Sequence, residues 1–235
     1  MGQVQMKTIF KTSLPDSGQG VFIKQFVYMS KIDLIKKYKS YYTAKPKPEL
    51  VTIEAAQFLS ITGKGDPSEK DFTAKIQALY SVAYAIKFQL KALGKDFAVS
   101  KLEGLWWFDE KKYSSFSIDE APTGIPRTEW EFRLLIRLPD FVTRQDVPVG
   151  IKTAAAKKRL PFAHDIELFE MNEGKSVQML HVGPFDTEPE TLRIMRDFIT
   201  TNQLHKNGHH HEIYLSDFRK VSNEKMKTIL REPVR

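Results

Sequence analysis

Cysteine is absent from this chain of 235 residues. Its absence excludes disulfide bonds, thiolate zinc sites and cysteine nucleophiles, and it suits a reducing compartment. No run approaches the roughly 18 apolar residues that a membrane span needs. The apolar patch from Val21 to Met29 is broken by Lys24 and Gln25, which is not the pattern of a secretory signal. The sequence therefore predicts a soluble cytoplasmic protein.

Acidic residues are scarce at the start of the chain, and this scarcity accounts for the net charge of +7. Residues 1–47 contain nine lysines against only Asp16 and Asp33, whereas the remainder carries 27 basic and 27 acidic side chains. The body of the protein is therefore neutral. This distribution argues against nucleic acid or a membrane surface as its partner.

Several signatures of catalysis and metal binding are also missing. Gly63-x-Gly65 is not followed by the Lys-Ser/Thr of a phosphate-binding loop, and no serine lies in a G-x-S-x-G elbow. Four histidines lie close together, namely His205, His209, His210 and His211. Gly208 interrupts any helix through them, and neighbours on a strand face opposite sides, so we expect no metal site and no cofactor.

Composition divides the chain into an extension, a lead-in and a body. We expect residues 1–30 to be a flexible extension. Residues 31–48 are a Lys/Pro-rich lead-in that ends in the stiff segment Lys45-Pro-Lys-Pro48. The folded body is expected to begin near Glu49 and to extend to residue 235.

The body contains an internal duplication. The Gly-x-x-Asp segment at 63–66 recurs at 183–186, an offset of 120, and the segment 134–139 recurs at 228–233, an offset of 94. Each copy reads as a strand, a helix with one apolar stripe, and two further strands. We therefore predict repeat one at 49–139, a connector at 140–175 and repeat two at 176–235. The fold class is α+β, with two βαββ modules, an antiparallel sheet, helices on one face and a groove between the halves.

Two carboxylates, Glu103 and Glu212, lie inside otherwise apolar or aromatic strands. Glu212 shares its strand face with Tyr214, because the two residues are two positions apart. A carboxylate held unpaired among aromatic rings has a raised pKa and can bind a cation or act as a general acid or base. The alternative for either glutamate is a solvated position or an ion pair with Arg137 or Arg231.

Aromatic residues cluster around these strands. The candidates for ligand contact are Tyr80, Tyr84, Trp106, Trp107, Trp130, Tyr214 and His181, together with Glu103. Flat rings around a carboxylate suit a planar aromatic ligand. Ordinary core packing is the alternative for each ring, and His181 fits a core position equally well. Adjacent strand residues face opposite ways, so only one of Trp106 and Trp107 can line a pocket through that strand.

Five segments resemble the stand-alone GyrI-like small-molecule-binding proteins over residues 49–235. They are Glu103-Gly-Leu-Trp-Trp-Phe-Asp, Leu135-Ile-Arg-Leu-Pro-Asp-Phe-Val-Thr, Leu180-His-Val-Gly-Pro-Phe-Asp, His210-His-Glu-Ile-Tyr-Leu-Ser-Asp and Lys227-Thr-Ile-Leu-Arg-Glu-Pro-Val. The resemblance implies pseudo-twofold modules of the SHS2 type with a ligand groove between them. This fold also serves as the effector domain of multidrug-sensing regulators, in which the drug-binding glutamate matches Glu212. Outside its Lys-rich first 47 residues, the chain leaves no room for their helix-turn-helix, which argues against a regulator role.

Some stand-alone members of this family are hydrolases that open the cyclopropane of DNA-alkylating toxins. By that analogy, Glu212 is the catalytic residue that activates water, while Trp106 or Trp107, Trp130 and Tyr214 hold a planar substrate. The alternative function is a drug-sequestering or drug-sensing module without catalysis. The expected partners are planar aromatic small molecules, and a monomer and a homodimer both remain open.

Overall fold

The computed structural model describes residues 30–217 and 220–235. The expected N-terminal extension lies almost entirely outside the described residues. The helices are α1 (Leu34–Lys37), α2 (Lys70–Ala92), α3 (Ala121–Gly124), α4 (Asp146–Ala155) and α5 (Glu188–Thr201). The strands are β1 (Glu49–Ile53), β2 (Ala56–Lys64), β3 (Leu102–Trp107), β4 (Glu131–Arg137), β5 (Glu167–Met171), β6 (Gly174–Val182), β7 (His210–Tyr214) and β8 (Lys227–Pro233).

These strands form one sheet in which every neighbouring pair is antiparallel, in the order β1-β6-β8-β7-β3-β4-β2-β5. Strand β1 continues into β2 across residues 54–55, and β5 continues into β6 across residues 172–173. Yet β1 and β5 are the two edges of the sheet. Because so short a link spans at most about 10 Å, the sheet curves until its edges approach each other.

The register of the strands relates the two halves. Leu59 of β2 pairs with Ile136 of β4. Adding 120 to the first number and 94 to the second gives Met179 and Leu230, which pair between β6 and β8. The two offsets read from the sequence therefore describe one pseudo-twofold relation. Its axis passes between the central strands β3 and β7.

The three longest helices, α2, α4 and α5, cover one face of the sheet. Helix α2 packs over β2 and β4 with α4 beside it, and α5 packs over β6 on the same face. Leu59 and Ile61 point toward α2 because alternate residues of a strand share a face, and Met179 points toward α5 in the same way. The α+β class, the antiparallel sheet and the one-sided placement of the helices are confirmed.

The lead-in covers the opposite face. Tyr41, Tyr42 and Ala44 are buried there in a cluster with Phe58 and Ile213. The structure thus corrects the expected start of the body near Glu49, because Leu34, Tyr41, Tyr42 and Ala44 of segment 31–48 are part of the core. The error arose from reading the lysines and prolines as a linker and overlooking the tyrosines between them.

Tyr41 also lies close to the pseudo-twofold axis. Its ring centroid is 4.6 Å from the guanidinium carbon of Arg137 and 4.6 Å from that of Arg231. These two arginines are equivalent under the offset of 94. One aromatic ring of the lead-in therefore contacts both repeats through cation–π interactions.

Local turns set several element boundaries. Residues 54–55 separate β1 from β2. Asp66 accepts a hydrogen bond from the Ser68 amide at 2.8 Å, and α2 begins at Lys70. The Thr187 hydroxyl donates to the Pro184 carbonyl at 2.8 Å and does not cap α5. Short polar side chains of this kind form turns with nearby backbone groups in competition with helix capping.

Candidate functional site

A groove of about 1660 Å³ lies on the helix-covered face, above the central strands and between α2 and α5. The groove therefore crosses the pseudo-twofold axis, where the two halves meet. Its lining includes Phe72, Tyr80, Tyr84, Trp106, Trp130, Phe185, Glu188, His210, Glu212 and Tyr214. Seven of these ten side chains are aromatic. Further charged side chains line the groove, among them Glu232 of β8 and the lysines Lys101, Lys158, Lys206, Lys220 and Lys227.

The floor of the groove is built by β3 and β7. Trp106 donates its indole N–H to the hydroxyl of Tyr214 at 3.1 Å. This contact passes over Gly104, where a Cβ atom would lie 2.9 Å from the Trp106 Nε1 and 3.0 Å from the Tyr214 Oη. Glycine at this position therefore permits the two rings to meet.

The polar part of the floor is a chain of charges. Glu212 pairs with Gly104 across the β3–β7 ladder, so its side chain is on the groove face. The His210 Nε2 lies 3.4 Å from the Glu212 Oε1, and the His210 Nδ1 lies 2.5 Å from the Glu232 Oε1. Burial lowers the pKa of His210, but the two carboxylates outweigh it and raise that pKa to about 10. His210 is therefore an imidazolium held between two carboxylates.

Glu188, the first residue of α5, brings a third carboxyl group to the groove. It is 6 % exposed, and its Oε1 is buried without a hydrogen-bond partner among the residues that the structure describes. Burial, followed by the negative charge of Glu212, raises the pKa of Glu188 well above its usual range, although His210 opposes the shift. Two neighbouring carboxyl groups thus differ in charge state, an arrangement common in acid–base sites.

Tyr214 completes this cluster. Burial raises the pKa of its hydroxyl well above the usual value, and the charge of Glu212 adds to the shift. The phenol therefore stays protonated and keeps its ability to donate a hydrogen bond.

The segment between β3 and β4 forms the far wall. Tyr113, Phe116 and Ile118 line the groove from this segment. Asp119 accepts two hydrogen bonds from the Nη1 of Arg196 on α5, at 2.7 and 2.8 Å. The segment between β3 and β4, which belongs to repeat one, is thereby attached to the helix of repeat two.

The structure brings six of the predicted site residues together. They are Tyr80, Tyr84, Trp106, Trp130, Glu212 and Tyr214. Trp130 packs edge-on against Trp106 with ring centroids 6.4 Å apart. The question of which adjacent tryptophan faces the groove is answered in favour of Trp106.

Glu103, Trp107 and His181 lie elsewhere. Glu103 and Trp107 point to the opposite face of the sheet, because they are odd-numbered neighbours of Gly104 and Trp106 on β3. Trp107 stacks on His209 with ring centroids 4.6 Å apart. His181 is buried at 4 % exposure, with its Nδ1 2.9 Å from the Thr191 hydroxyl and its Nε2 3.1 Å from the Pro184 carbonyl. The core interpretation of His181 therefore fits its contacts.

Glu103 belongs to a buried charge network beneath the lead-in. It accepts hydrogen bonds from Tyr41 at 2.5 Å and Tyr42 at 3.3 Å, and it lies 3.1 Å from the His211 Nε2. The His211 Nδ1 lies 2.9 Å from Glu173, which binds Arg231 at 3.1 Å. The neighbouring charges raise the pKa of His211 against the effect of burial, and they lower that of Glu173 to about 2. Each carboxylate is thus matched by a cation, as buried charges require.

Sequence reasoning missed three polar residues of the groove. Glu188 was visible only as the first turn of a helix, and no spacing rule connects it with Glu212. His210 was considered only as a metal ligand. Glu232 was visible only as part of the closing strand, although strand alternation places it on the same face as Leu230 and Thr228.

Among residues 30–217 and 220–235, no group of three or more His, Asp or Glu side chains is arranged to hold a metal ion. In the same ranges, no helix combines the length and the hydropathy of a membrane span.

The family model of the GyrI-like small-molecule-binding domain matches residues 139–235. An uncharacterised conserved protein from Listeria innocua is 39 % identical over 87 % of this chain and all of its own, with a TM-score of 0.78. A hydrolase from Listeria innocua is 37 % identical over 87 % of this chain and all of its own, with a TM-score of 0.73.

The C-terminal domain of EcmrR covers 80 % of this chain and 97 % of its own at a TM-score of 0.52, but at 11 % identity it shows only a shared fold. A comparison with curated proteins found no match. The Listeria relatives match over their whole length and the family model covers the second repeat. This chain therefore belongs to the GyrI-like small-molecule-binding family.

Proposed function

We propose that this protein binds planar aromatic small molecules, hydrophobic or cationic, and opens cyclopropane rings of DNA-alkylating toxins by hydrolysis. The observation that carries the proposal is the position of Glu212, a carboxylate on the floor of an aromatic groove with the His210 imidazolium 3.4 Å away. The hydrolase among the Listeria relatives supports the enzymatic part. The role is one of detoxification.

The aromatic residues would hold the substrate. Trp106 and Trp130 present ring edges and faces at one end of the groove, and Tyr80 and Tyr84 of α2 line its side. A planar polycyclic ligand gains dispersion and apolar burial against such rings. The fixed Trp106–Tyr214 contact keeps this platform ordered before the ligand arrives.

The ring-opening reaction requires few catalytic groups from the protein. In a cyclopropane conjugated to a dienone, water attacks the CH₂ carbon, the strained C–C bond breaks, and its electron pair passes through the ring to the carbonyl oxygen. Glu212 would accept the proton of the attacking water, and the carbonyl oxygen takes up a proton to give a phenol. Because aromatisation drives the reaction, positioning and one base account for most of the catalysis.

Incubation of the protein with a cyclopropylindole compound, followed by mass spectrometry, tests this proposal. Wild-type protein should yield the product that is heavier by one water. Glu212→Gln should slow the reaction about 100-fold, and Glu103→Gln, on the other face of the same sheet, should leave it unchanged per folded molecule. Equal rates for wild type and Glu212→Gln would remove the catalytic role. Binding without turnover by the wild type would leave a sequestering or sensing module.

A further inference from the structure

The start of α5 places an unused carboxyl group in the groove. Glu188 is more than nine-tenths buried, it lines the groove, and its Oε1 has no hydrogen-bond partner within the described part of the chain. An unpaired buried polar atom destabilises the folded protein. A ligand that supplied the missing partner would remove this destabilisation.

We propose that Glu188 is a charge-adapting subsite: it donates a hydrogen bond to the carbonyl of a neutral planar ligand, and it releases its proton to solvent when a planar cation binds. The inference rests on the proposed binding of planar aromatics in this groove, and it names the two ligand classes that the same site accepts. It does not depend on ring opening.

The surrounding charges explain why the group holds a proton in the free protein. Glu212 and His210 on β7, and Glu232 on β8, form the charged floor near Glu188, and Tyr214 adds a neutral phenol. Two carboxylates and one imidazolium leave one negative charge. A second one in a site largely closed to water would be costly, which agrees with the strongly raised pKa of Glu188.

Binding of a cation favours the ionised form of Glu188 instead. When a positive ring system fills the groove, its charge attracts an ionised Glu188, and the O–H bond breaks with the proton passing to the buffer. The resulting carboxylate and Glu212 then face the cation together. A neutral ligand brings no such charge, so Glu188 keeps its proton and donates it in a hydrogen bond.

His210 is the competing source of a released proton, because it is also protonated and lies in the same cluster. Its position between Glu212 and Glu232 opposes that release, since both carboxylates stabilise the imidazolium. The two sources are separable by substitution at position 188.

Two probes of the same tricyclic shape test the proposal: N-methylacridinium, a permanent cation, and N-methylacridone, a neutral ketone. Each is titrated into the full-length protein by calorimetry near pH 7 in phosphate and in Tris, whose ionisation enthalpies differ. The difference in heat measures the protons exchanged. For wild type we expect release of about one proton with N-methylacridinium and none with N-methylacridone.

Glu188→Gln keeps the shape and the hydrogen-bond donor but cannot ionise. We expect it to abolish proton release, to weaken N-methylacridinium about tenfold, and to change N-methylacridone binding less than about threefold. Glu190→Gln is the matched control, because Glu190 is in the same first turn but is exposed. It should behave as wild type.

Each other outcome is decisive. Binding of N-methylacridinium to wild type without proton release overturns the inference, and this measurement needs no variant. Release that persists in Glu188→Gln places the source of the proton at another group of the cluster and overturns the inference too. In both cases the proposed binding function stands. If neither probe binds wild type, the proposed function fails and the inference fails with it.

Discussion

Glu103 and Glu212 look alike in the sequence, since each is a carboxylate within an apolar strand, but one residue of alternation puts them on opposite faces of the sheet. Glu103→Gln should lower the free energy of unfolding by about 3 kcal/mol, because it leaves the His211 imidazolium without one of its two carboxylates. Glu212→Gln should cost less than about 1 kcal/mol, because Glu212 is partly exposed and its contact with His210 is long, at 3.4 Å. Urea denaturation of both variants, with ligand titration of the folded protein, measures the contrast. A loss of ligand affinity in Glu103→Gln without a loss of stability would contradict it.

Gly104 is the residue that permits the floor of the groove. An alanine there would place its Cβ within 3.0 Å of both Trp106 Nε1 and Tyr214 Oη, so at least one ring must move. Overpacking of this kind costs about 1–3 kcal/mol, and we expect Gly104→Ala to weaken N-methylacridone binding about tenfold. Trp106→Phe, which removes only the indole donor and some ring area, should have a smaller effect on stability. Equal affinity of Gly104→Ala and wild type would show that the floor tolerates the shift.

At the scale of elements, the segment between β3 and β4 is held to α5 by the bidentate contact of Asp119 with Arg196. Asp119→Asn should raise the dissociation rate of N-methylacridinium several-fold, because the wall opens more often. Stability should change by no more than about 1 kcal/mol, since Arg196 is partly exposed. Asp197→Asn is the matched control, because Asp197 also contacts Arg196 but lies on the same helix. Stopped-flow displacement measures the dissociation rate of N-methylacridinium from each variant. Equal rates in the two variants would show that the Asp119–Arg196 contact does not hold the wall closed.

Individual helices and strands were easier to predict from the sequence than the contacts between distant segments. The stripe of α2 and the alternation of β4 follow from periodicity alone, and the two offsets of the duplication relate the observed pair Leu59–Ile136 to the observed pair Met179–Leu230. The lead-in was misread because burial of Tyr41 depends on Arg137, Arg231 and Glu103, residues about 60 to 190 positions away. Glu188 was missed for the same reason. Contacts that join distant segments leave no local pattern in the sequence.

On the scale of the whole molecule, the two faces of the sheet differ in how completely their buried polar groups are paired. The face under the lead-in holds charges that are matched one to one, from Glu103 through His211 and Glu173 to Arg231. The helix-covered face holds an incompletely satisfied set, in which Glu188 has a buried oxygen without a partner among the described residues. A single sheet thus carries both sets of charges, because strand alternation places side chains that are neighbours in sequence on opposite faces.

The buried titratable groups on the two faces make the stability of the fold depend on pH. An unfolded histidine titrates near 6.5, whereas the pKa of folded His210 is about 10. The stabilisation from its imidazolium is therefore complete below pH 6.5 and is lost as the pH rises toward 10. Glu188 also makes stability decline as the pH rises, and this decline begins at a lower pH than that of His210. The reason is that the folded protein keeps a proton on Glu188 that the unfolded chain releases. At acid pH, the folded protein loses the stabilisation that ionised Glu173 provides. The pKa of Glu173 is about 2, so this loss proceeds as the pH falls below about 4.5.

We expect the urea midpoint of wild type to fall steadily between pH 6.5 and 9.5, by an amount equivalent to a few kcal/mol. His210→Gln should be less stable at pH 6.5 and should show a flatter decline, because the neutral amide has no proton to lose. His209→Gln is the control: His209 is stacked on Trp107 outside the carboxylate cluster, and partial burial lowers its pKa, so the wild-type slope should remain. A His210→Gln protein whose stability falls as steeply as that of wild type would show that the imidazolium between Glu212 and Glu232 does not stabilise the fold.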